Sequence, residues 1–99
     1  MRKVILSKRA SVKLDKLLDH LENDWSEKVK LDFINKLDQT LQTLKTFPES
    51  NEKSSLKKGL YRCVVSRQTT FFYQFNTTTI KIVTFFDTRM DPGKIRKFL

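Results

Sequence analysis

The chain has 99 residues, 38% of them apolar, and this length predicts one domain with its own hydrophobic core. Twenty Lys and Arg outnumber eleven Asp and Glu, giving a net charge of +9 that favours phosphate backbones, acidic proteins or anionic membranes as partners without choosing among them. The single cysteine, Cys63, excludes an internal disulfide, and the apolar runs are too short for a signal peptide or a membrane span. We therefore expect a cytoplasmic protein that is one domain over residues 1–99 and has no membrane partner.

The first half of the sequence predicts a strand followed by two helices. Val4–Leu6 is a short apolar run, and Ser7 after it can cap a helix. Apolar residues then recur at helical spacing as far as Leu21, which predicts a first amphipathic helix. Ser26 can cap a second helix with the same period, which Pro48 ends because proline lacks the backbone N–H. The short link between them predicts an antiparallel hairpin.

The second half of the sequence predicts a loop and three strands. Residues 48–59 are polar and have no period, which is typical of a surface loop. Strands are predicted over residues 60–67, 69–76 and 79–86, where the period changes to two. The C-terminal residues predict a short helical turn. The fold class is therefore α+β, with the hairpin on one face of a mostly antiparallel four-stranded sheet, the N-terminal strand at an edge or in the middle, and the other sheet face free.

These elements, in this order, resemble the RelE/ParE toxin superfamily, which includes bacterial plasmid stabilisation proteins. A glycine-led strand carries an arginine (residues 59–67), the middle strand contains a tyrosine (residues 72–75), and a D-x-R-x-D-P pattern follows (residues 87–92). These features are most similar to the ParE-like branch. The resemblance covers nearly the whole chain, and it implies a growth-inhibiting toxin that a cognate antitoxin wraps and holds inactive.

Members of this superfamily act in two ways, so the resemblance implies two candidate functions. ParE-like toxins poison DNA gyrase, whereas RelE-like toxins cut messenger RNA in the ribosome. RNA cleavage without a metal needs an acid and a base, and RelE-like nucleases carry a Tyr or His near the C-terminus. Residues 91–99 have neither, and Thr70 and Phe71 stand where nuclease relatives carry an arginine. The residues favour a gyrase inhibitor that acts by binding; an mRNA endonuclease and an inactive binding module are the alternatives.

The candidate site is a set of cations on and around the predicted sheet. For binding of a target or partner, these residues are Lys57, Lys58, Arg62, Arg67, Arg89, Lys94, Arg96 and Lys97. In a nuclease, the catalytic cations would be Lys57, Lys58, Arg62 and Arg89, which would stabilise negative charge on the phosphate. Alternation along a strand places Arg62 and Arg67 on opposite faces, so these two should not meet at one phosphate unless a bulge re-aims one of them.

The remaining conspicuous residues predict structural roles. His20 should be a partly exposed residue of the first helix, and Trp25 a hydrophobic anchor between the helices. Cys63 should be a small core residue, and Tyr73 should pack in the core. The two carboxylates of the D-x-R-x-D-P pattern should form an ion pair or cap a turn rather than bind a metal. We therefore expect no metal and no cofactor.

The positive charge also predicts the chemistry of the antitoxin. A basic surface between the helices and the sheet should accept an acidic, partly disordered segment that folds on binding. The affinity should fall as the salt concentration rises, to the extent that charge contributes to binding.

Overall fold

The computed structural model describes residues 2–54 and 57–87, and these residues form a strand, two helices and four further strands. The elements are β1 (Lys3–Leu6), α1 (Lys8–Asp24), α2 (Glu27–Thr46), β2 (Glu52–Lys53), β3 (Tyr61–Val64), β4 (Thr69–Phe75) and β5 (Thr79–Asp87). The α+β class and the helix–helix–meander order are confirmed. The predicted C-terminal helical turn lies outside the described residues.

Both helices begin at the serine caps that the sequence predicts. The Ser7 hydroxyl accepts from the Ala10 N–H at 3.0 Å and donates to the Val83 carbonyl at 2.6 Å, so it also ties the start of α1 to β5. The Ser26 hydroxyl accepts from the Val29 N–H at 3.1 Å. Each cap satisfies a backbone donor that has no partner within its helix. Neither helix of the described segments is long and apolar enough to cross a membrane.

The sheet is mixed and has the strand order β1-β5-β4-β3-β2. Each of the strands β2 to β5 is antiparallel to its neighbours among them, whereas β1 lies at the edge of the sheet and is parallel to β5. The two helices separate β1 from the other strands in sequence, and a parallel pair needs such a long connection. The sheet has five strands rather than the four predicted. The additional strand is β2, in which Glu52 and Lys53 of the predicted loop pair with Arg62 and Tyr61.

The central strand β4 is buried on both sides of the sheet. Phe71 and Tyr73 are fully buried in the main core, together with residues of both helices. Phe72 points the other way and forms a second, smaller cluster with Leu60 and Phe86. The prediction that the sheet face away from the helices is free was therefore wrong for its centre, where Phe72 is only 2% exposed.

Candidate functional site

A groove of about 700 Å³ opens between the helix hairpin and one end of the sheet. Four parts of the chain line it: α1, α2, the turn between β3 and β4, and the end of β5. The lining residues are Lys13, Lys16, Leu17, His20, Leu21, Trp25, Val29, Asp32, Phe33, Lys36, Ser66, Arg67, Gln68, Thr69, Phe85, Phe86 and Asp87. Residues far apart in sequence thus form one concave surface, which we call the hairpin groove.

The hairpin groove combines buried aromatic residues with a basic rim. Phe33 and Phe85, which are 8% and 3% exposed, belong to the main core and also line the groove. Four of the lining residues are Lys or Arg, against two carboxylates, so cations predominate: Lys13, Lys16, Lys36 and Arg67 against Asp32 and Asp87. Such a surface suits a ligand that is partly apolar and partly acidic.

Lys13 packs against an aromatic ring in the hairpin groove. Its ammonium lies 4.1 Å from the centroid of the Phe86 ring, within the range of a cation–π contact. Burial lowers its pKa, and the positive charges of Arg9 and Lys16 lower it further.

Trp25 stands at the groove with 68% of its surface exposed. The prediction that it anchors the two helices was therefore wrong. Its backbone N–H donates to the Leu21 carbonyl and ends α1, and Ser26 immediately caps α2. A link of two residues leaves the indole outside the hairpin at its tip, rather than between the helices.

The predicted cation Arg67 also belongs to the hairpin groove. Strand β3 ends at Val64 instead of continuing to Arg67, because the N–H groups of Val65 and Ser66 both donate to the Thr69 carbonyl and close a tight turn. Arg67 lies in this turn and lines the groove beside α1 and α2. The bulge in the sheet lies between β4 and β5, at Phe72/Tyr73, and so does not re-aim Arg67 or Arg62.

Arg62 lies on the opposite side of the sheet, which we call the outer face. Its Cα neighbours are Phe72 on β4 and Glu52 on β2, and both Arg62 and the next outward residue, Val64, are exposed. Lys57 and Lys58 are exposed in the turn that leads into β3. The predicted site residues of the described segments are therefore split between two surfaces. Four others lie outside the described residues: Arg89, Lys94, Arg96 and Lys97.

The turn that carries these two lysines ends at Gly59. The φ of Gly59 is +79°, a left-handed conformation that residues with a Cβ rarely adopt. The N–H of the following residue, Leu60, donates to the Lys57 carbonyl at 3.3 Å and closes the turn. The glycine at this position therefore sets the direction in which the chain enters β3 and its outward arginine.

A buried polar group connects the core to the loop before β2. The Tyr73 hydroxyl donates to the Pro48 carbonyl at 2.6 Å and accepts from the Asn51 amide at 3.3 Å. Burial raises the pKa of Tyr73 to about 12 and the pKa of the Cys63 thiol to about 11. A hydrogen bond with Asn51 lowers both pKa values and so opposes part of each shift. Both side chains are buried in the core, as predicted.

His20 is a half-exposed residue of α1, as predicted, and it lines the hairpin groove. Its Nδ1 lies 2.6 Å from an oxygen of Asp24, one helical turn later, and both side chains are more than half exposed. Among the described residues, no three His, Cys, Asp or Glu side chains are grouped closely enough to hold a metal ion.

Sequence reasoning missed three lysines of the hairpin groove: Lys13, Lys16 and Lys36. A signal for two of them was present in α1. Lys13, Lys16 and His20 follow one another at helical spacing. They lie beside the apolar stripe of α1 that contains Leu17 and Leu21, so they border the surface against which this stripe packs. The sequence did not reveal that α2 and the β3–β4 turn border the same opening.

This two-helix hairpin on a mixed sheet is also the fold of several solved bacterial toxins. The chromosomal ParDE system of P. aeruginosa matches with a TM-score of 0.71 and 15% identity, over 88% of this chain and 96% of that one. A copper-bound mutant toxin from Helicobacter pylori matches with a TM-score of 0.64 and 18% identity, over 89% and 96%. YafQ from E. coli matches with a TM-score of 0.58 and 18% identity, over 89% and 94%. No curated protein sequence is significantly similar to the chain.

The sequence itself matches the model of one protein family across most of its length. This family is the ParE toxin of the type II toxin–antitoxin system parDE, and the match covers residues 4–92. The chain therefore belongs to the ParE toxin family and is the toxin of a type II toxin–antitoxin system. The predicted superfamily is confirmed.

Proposed function

We propose that this toxin arrests growth by binding and inhibiting DNA gyrase, and that it does so by contact rather than by chemistry of its own. The observation that carries the proposal is the match to the ParE family model over residues 4–92. The protein would act in the cytoplasm as a single domain, where a plasmid or chromosomal toxin–antitoxin pair would keep it inactive until the antitoxin is lost.

The outer face is the surface that we assign to the target. Arg62 projects from this face. Lys57 and Lys58 are exposed in the turn that precedes the same strand, so the three cations lie close together in sequence. Such a surface attracts a negatively charged partner over a distance and orients it before contact. Arg89, Lys94, Arg96 and Lys97, which lie outside the described residues, belong to the same proposed set of binding cations.

The positions of the other polar groups support binding over catalysis. Nuclease relatives carry an arginine at the place where this chain has Thr70 and Phe71. These two residues are 3% and 0% exposed, so they are buried in the sheet. His20 belongs to the hairpin groove, on the helix side of the sheet, whereas Arg62 projects from the other side. A general acid or base must come within hydrogen-bonding reach of the atom it serves, so this histidine and this arginine do not form one catalytic site.

The alternative is an mRNA endonuclease, and the fold likeness to YafQ alongside ParDE keeps it as the second candidate. Two reactions separate the candidates. Purified toxin is added to gyrase with relaxed plasmid and ATP, and in parallel to ribosomes that are translating a labelled message. Inhibited supercoiling with an intact message supports the proposal.

Cleaved message with normal supercoiling would overturn the gyrase proposal and make the protein an enzyme. Normal results in both reactions, with folded protein, would leave a binding module without toxic activity. The matched control is the same toxin after it has been mixed with its antitoxin, because neutralisation must abolish whichever effect is observed.

A further inference from the structure

The edge strand β2 is too short to hold its own place on the sheet. It contains only Glu52 and Lys53, which pair with Arg62 and Tyr61 of β3. A strand pair of this length is at best marginally stable in water without further support. Both residues of β2 are exposed, so burial of their side chains adds little. The position of β2 must therefore be fixed by contacts of the residues beside it.

Asn51, immediately before β2, makes such contacts with the core. Its side-chain amide donates to the Tyr73 hydroxyl at 3.3 Å and forms a second hydrogen bond with the Cys63 thiol. Tyr73 and Cys63 are 0% and 3% exposed, so both partners are fixed in the main core. Removing the amide would leave buried polar groups without their partner. These bonds therefore hold the start of β2 against the sheet.

Strand β2 in turn supports the backbone of Arg62. Nearby, the Ser54 N–H donates to the Leu60 carbonyl at 2.7 Å. Because hydrogen-bonded and non-hydrogen-bonded pairs alternate along antiparallel strands, the N–H of Arg62, two residues after Leu60, also faces β2. The N–H of Cys63, one residue further, faces β4 instead. The backbone of the outward arginine thus depends on β2, whereas that of the next residue does not.

The side chain of Arg62 has no ion pair that would fix it independently. Glu52 lies directly opposite Arg62, so the two side chains share the outer face. Within residues 2–54 and 57–87, no carboxylate lies within 4.0 Å of the guanidinium of Arg62. The direction of this arginine, and the opposite charge beside it, are therefore set by the backbone and by the place at which β2 presents Glu52.

We propose that Asn51 is a positioning residue of the target surface: it fixes β2 on the core and thereby holds Arg62 and the opposing Glu52 in the arrangement that the target recognises. Asn51 acts through Arg62, because its own side chain is bound to the core. This inference rests on the proposed role of Arg62 at the target surface. It does not depend on which macromolecule the target is.

Hydrogen exchange tests the positioning in the free toxin. In ¹⁵N-labelled protein, Asn51→Ala should make the amide of Arg62 exchange at least about tenfold faster, because local release of β2 exposes this N–H to water. The amide of Cys63, which faces β4, should keep its protection. Tyr73→Phe removes one of the two partners of Asn51 and should give a smaller change in the same direction. Unchanged exchange at Arg62 in both variants would overturn the inference.

Asn76→Ala is the matched control, since it removes a loop-fixing asparagine elsewhere. The Asn76 side chain accepts from the N–H groups of Thr78 and Thr79 at 2.9 and 2.8 Å, in the turn between β4 and β5. This variant should lose local hydrogen bonds as Asn51→Ala does, yet leave the amide of Arg62 protected. Equal exchange at Arg62 in both asparagine variants would show a general loss of stability and would also overturn the inference.

A double-mutant cycle tests whether Asn51 acts through Arg62. The measured quantity is the toxin concentration that halves supercoiling by gyrase. It should rise about fivefold in Asn51→Ala and about tenfold or more in Arg62→Ala. In the double variant, Asn51→Ala should add less than about twofold to the effect of Arg62→Ala, because the residue that it positions is already gone. All variants are first shown to be folded by circular dichroism.

The outcomes of the cycle separate this inference from the proposed target. Multiplicative losses in the double variant would show that Asn51 acts independently of Arg62 and would overturn the inference. A wild type that leaves gyrase unaffected would contradict the gyrase proposal alone. The same cycle is then measured as growth inhibition under controlled induction, where the loss of coupling between the two substitutions would again overturn the role of Asn51.

Discussion

The hairpin groove and the outer face are both basic, but they differ in what lies under the charge. In the groove, lysines surround accessible aromatic side chains, with Trp25 largely exposed. On the outer face, the aromatic cluster around Phe72 is closed to solvent, and Arg62 projects beside it. A ligand of the groove can bury apolar surface, whereas a ligand of the outer face meets mainly charge.

This difference predicts that the two surfaces bind ligands of different chemistry. Apolar burial contributes to the lifetime of a complex, and charge at a rim contributes mainly to the rate and orientation of association. We therefore expect a ligand of the groove to dissociate more slowly than a ligand of the outer face. Variants that alter one surface and leave the other intact can test this division.

The largest effect should come from Phe71→Ala, which damages the scaffold that both surfaces share. Phe71 is fully buried and packs against Tyr73 and Phe85, so the cavity should cost about 3–5 kcal/mol in the free energy of unfolding. Urea denaturation measures this loss. The neighbouring variant Phe72→Ala removes the same ring from the smaller cluster and should cost less. Equal losses would show that the two sides of the sheet are equally important for stability.

Arg62→Ala should separate the two surfaces in function. The guanidinium is exposed, so the variant should fold normally, and growth inhibition under controlled induction should fall about tenfold or more, the effect expected for removal of an interface arginine. Binding of the antitoxin, followed by calorimetry, should be retained. A loss of the folded circular-dichroism spectrum would instead make Arg62 part of the scaffold.

Tyr73→Phe tests the connection between the core and the loop that precedes β2. The variant leaves the Pro48 carbonyl and the Asn51 amide without the hydroxyl that joins them, which should cost about 1–2 kcal/mol at neutral pH. Denaturation in urea measures this cost, with Tyr61→Phe as the control for a partly exposed tyrosine.

The same variant has a pH signature with a definite sign. Burial raises the pKa of Tyr73 from 10.0 to about 12, so the folded protein holds the phenolic proton more tightly than the unfolded chain does. The stability that this group contributes is complete below pH 10 and is lost as the pH rises towards 12. The stability gap between wild type and Tyr73→Phe should therefore narrow over this range. A gap that stays constant to pH 12 would contradict a raised pKa.

An effect of about the same size as that of Tyr73→Phe should come from Gly59→Ala, in the turn before β3. The φ of +79° strains any residue with a Cβ, at a cost of about 1–2 kcal/mol, although no atom lies within 4 Å of the added carbon. Gly59→Asn should cost less, because asparagine tolerates this region better. Thermal unfolding compares the two variants. Antitoxin binding should be unchanged in both variants, and a loss of binding would show that this turn contributes to the antitoxin interface.

Most of the fold could be predicted because its signals are local. The serine caps and the helical spacing of leucines place both helices, and the change of period after Gly59 places the meander. Strand β2 was missed because its two residues are polar and carry no period; only pairing with β3 makes them a strand. Trp25 was placed wrongly because hydrophobicity predicts burial, whereas a two-residue link leaves no room for an indole between the helices.

The candidate site could be predicted only in part. The cations of the outer face were identified, because Arg62 alternates with apolar residues along a strand. Arg67 was identified as well, but the turn between Val65 and Thr69 assigns it to a different surface. The groove lysines of α1 and α2 were missed, since each looks like an ordinary solvated helix residue until the opposite wall of the groove is known.

By itself, the sequence determined the class of this protein: a basic α+β toxin fold with capped helices and a buried aromatic strand. These features depend on residue type and short spacing, which fix backbone preference and the buried face of each element. Only the tertiary structure decided that Lys13, Lys36, Arg67 and Trp25 surround one groove and that Arg62 faces away from it. The reason is physical, because a surface formed by four separate segments exists only after the core has packed and brought them together.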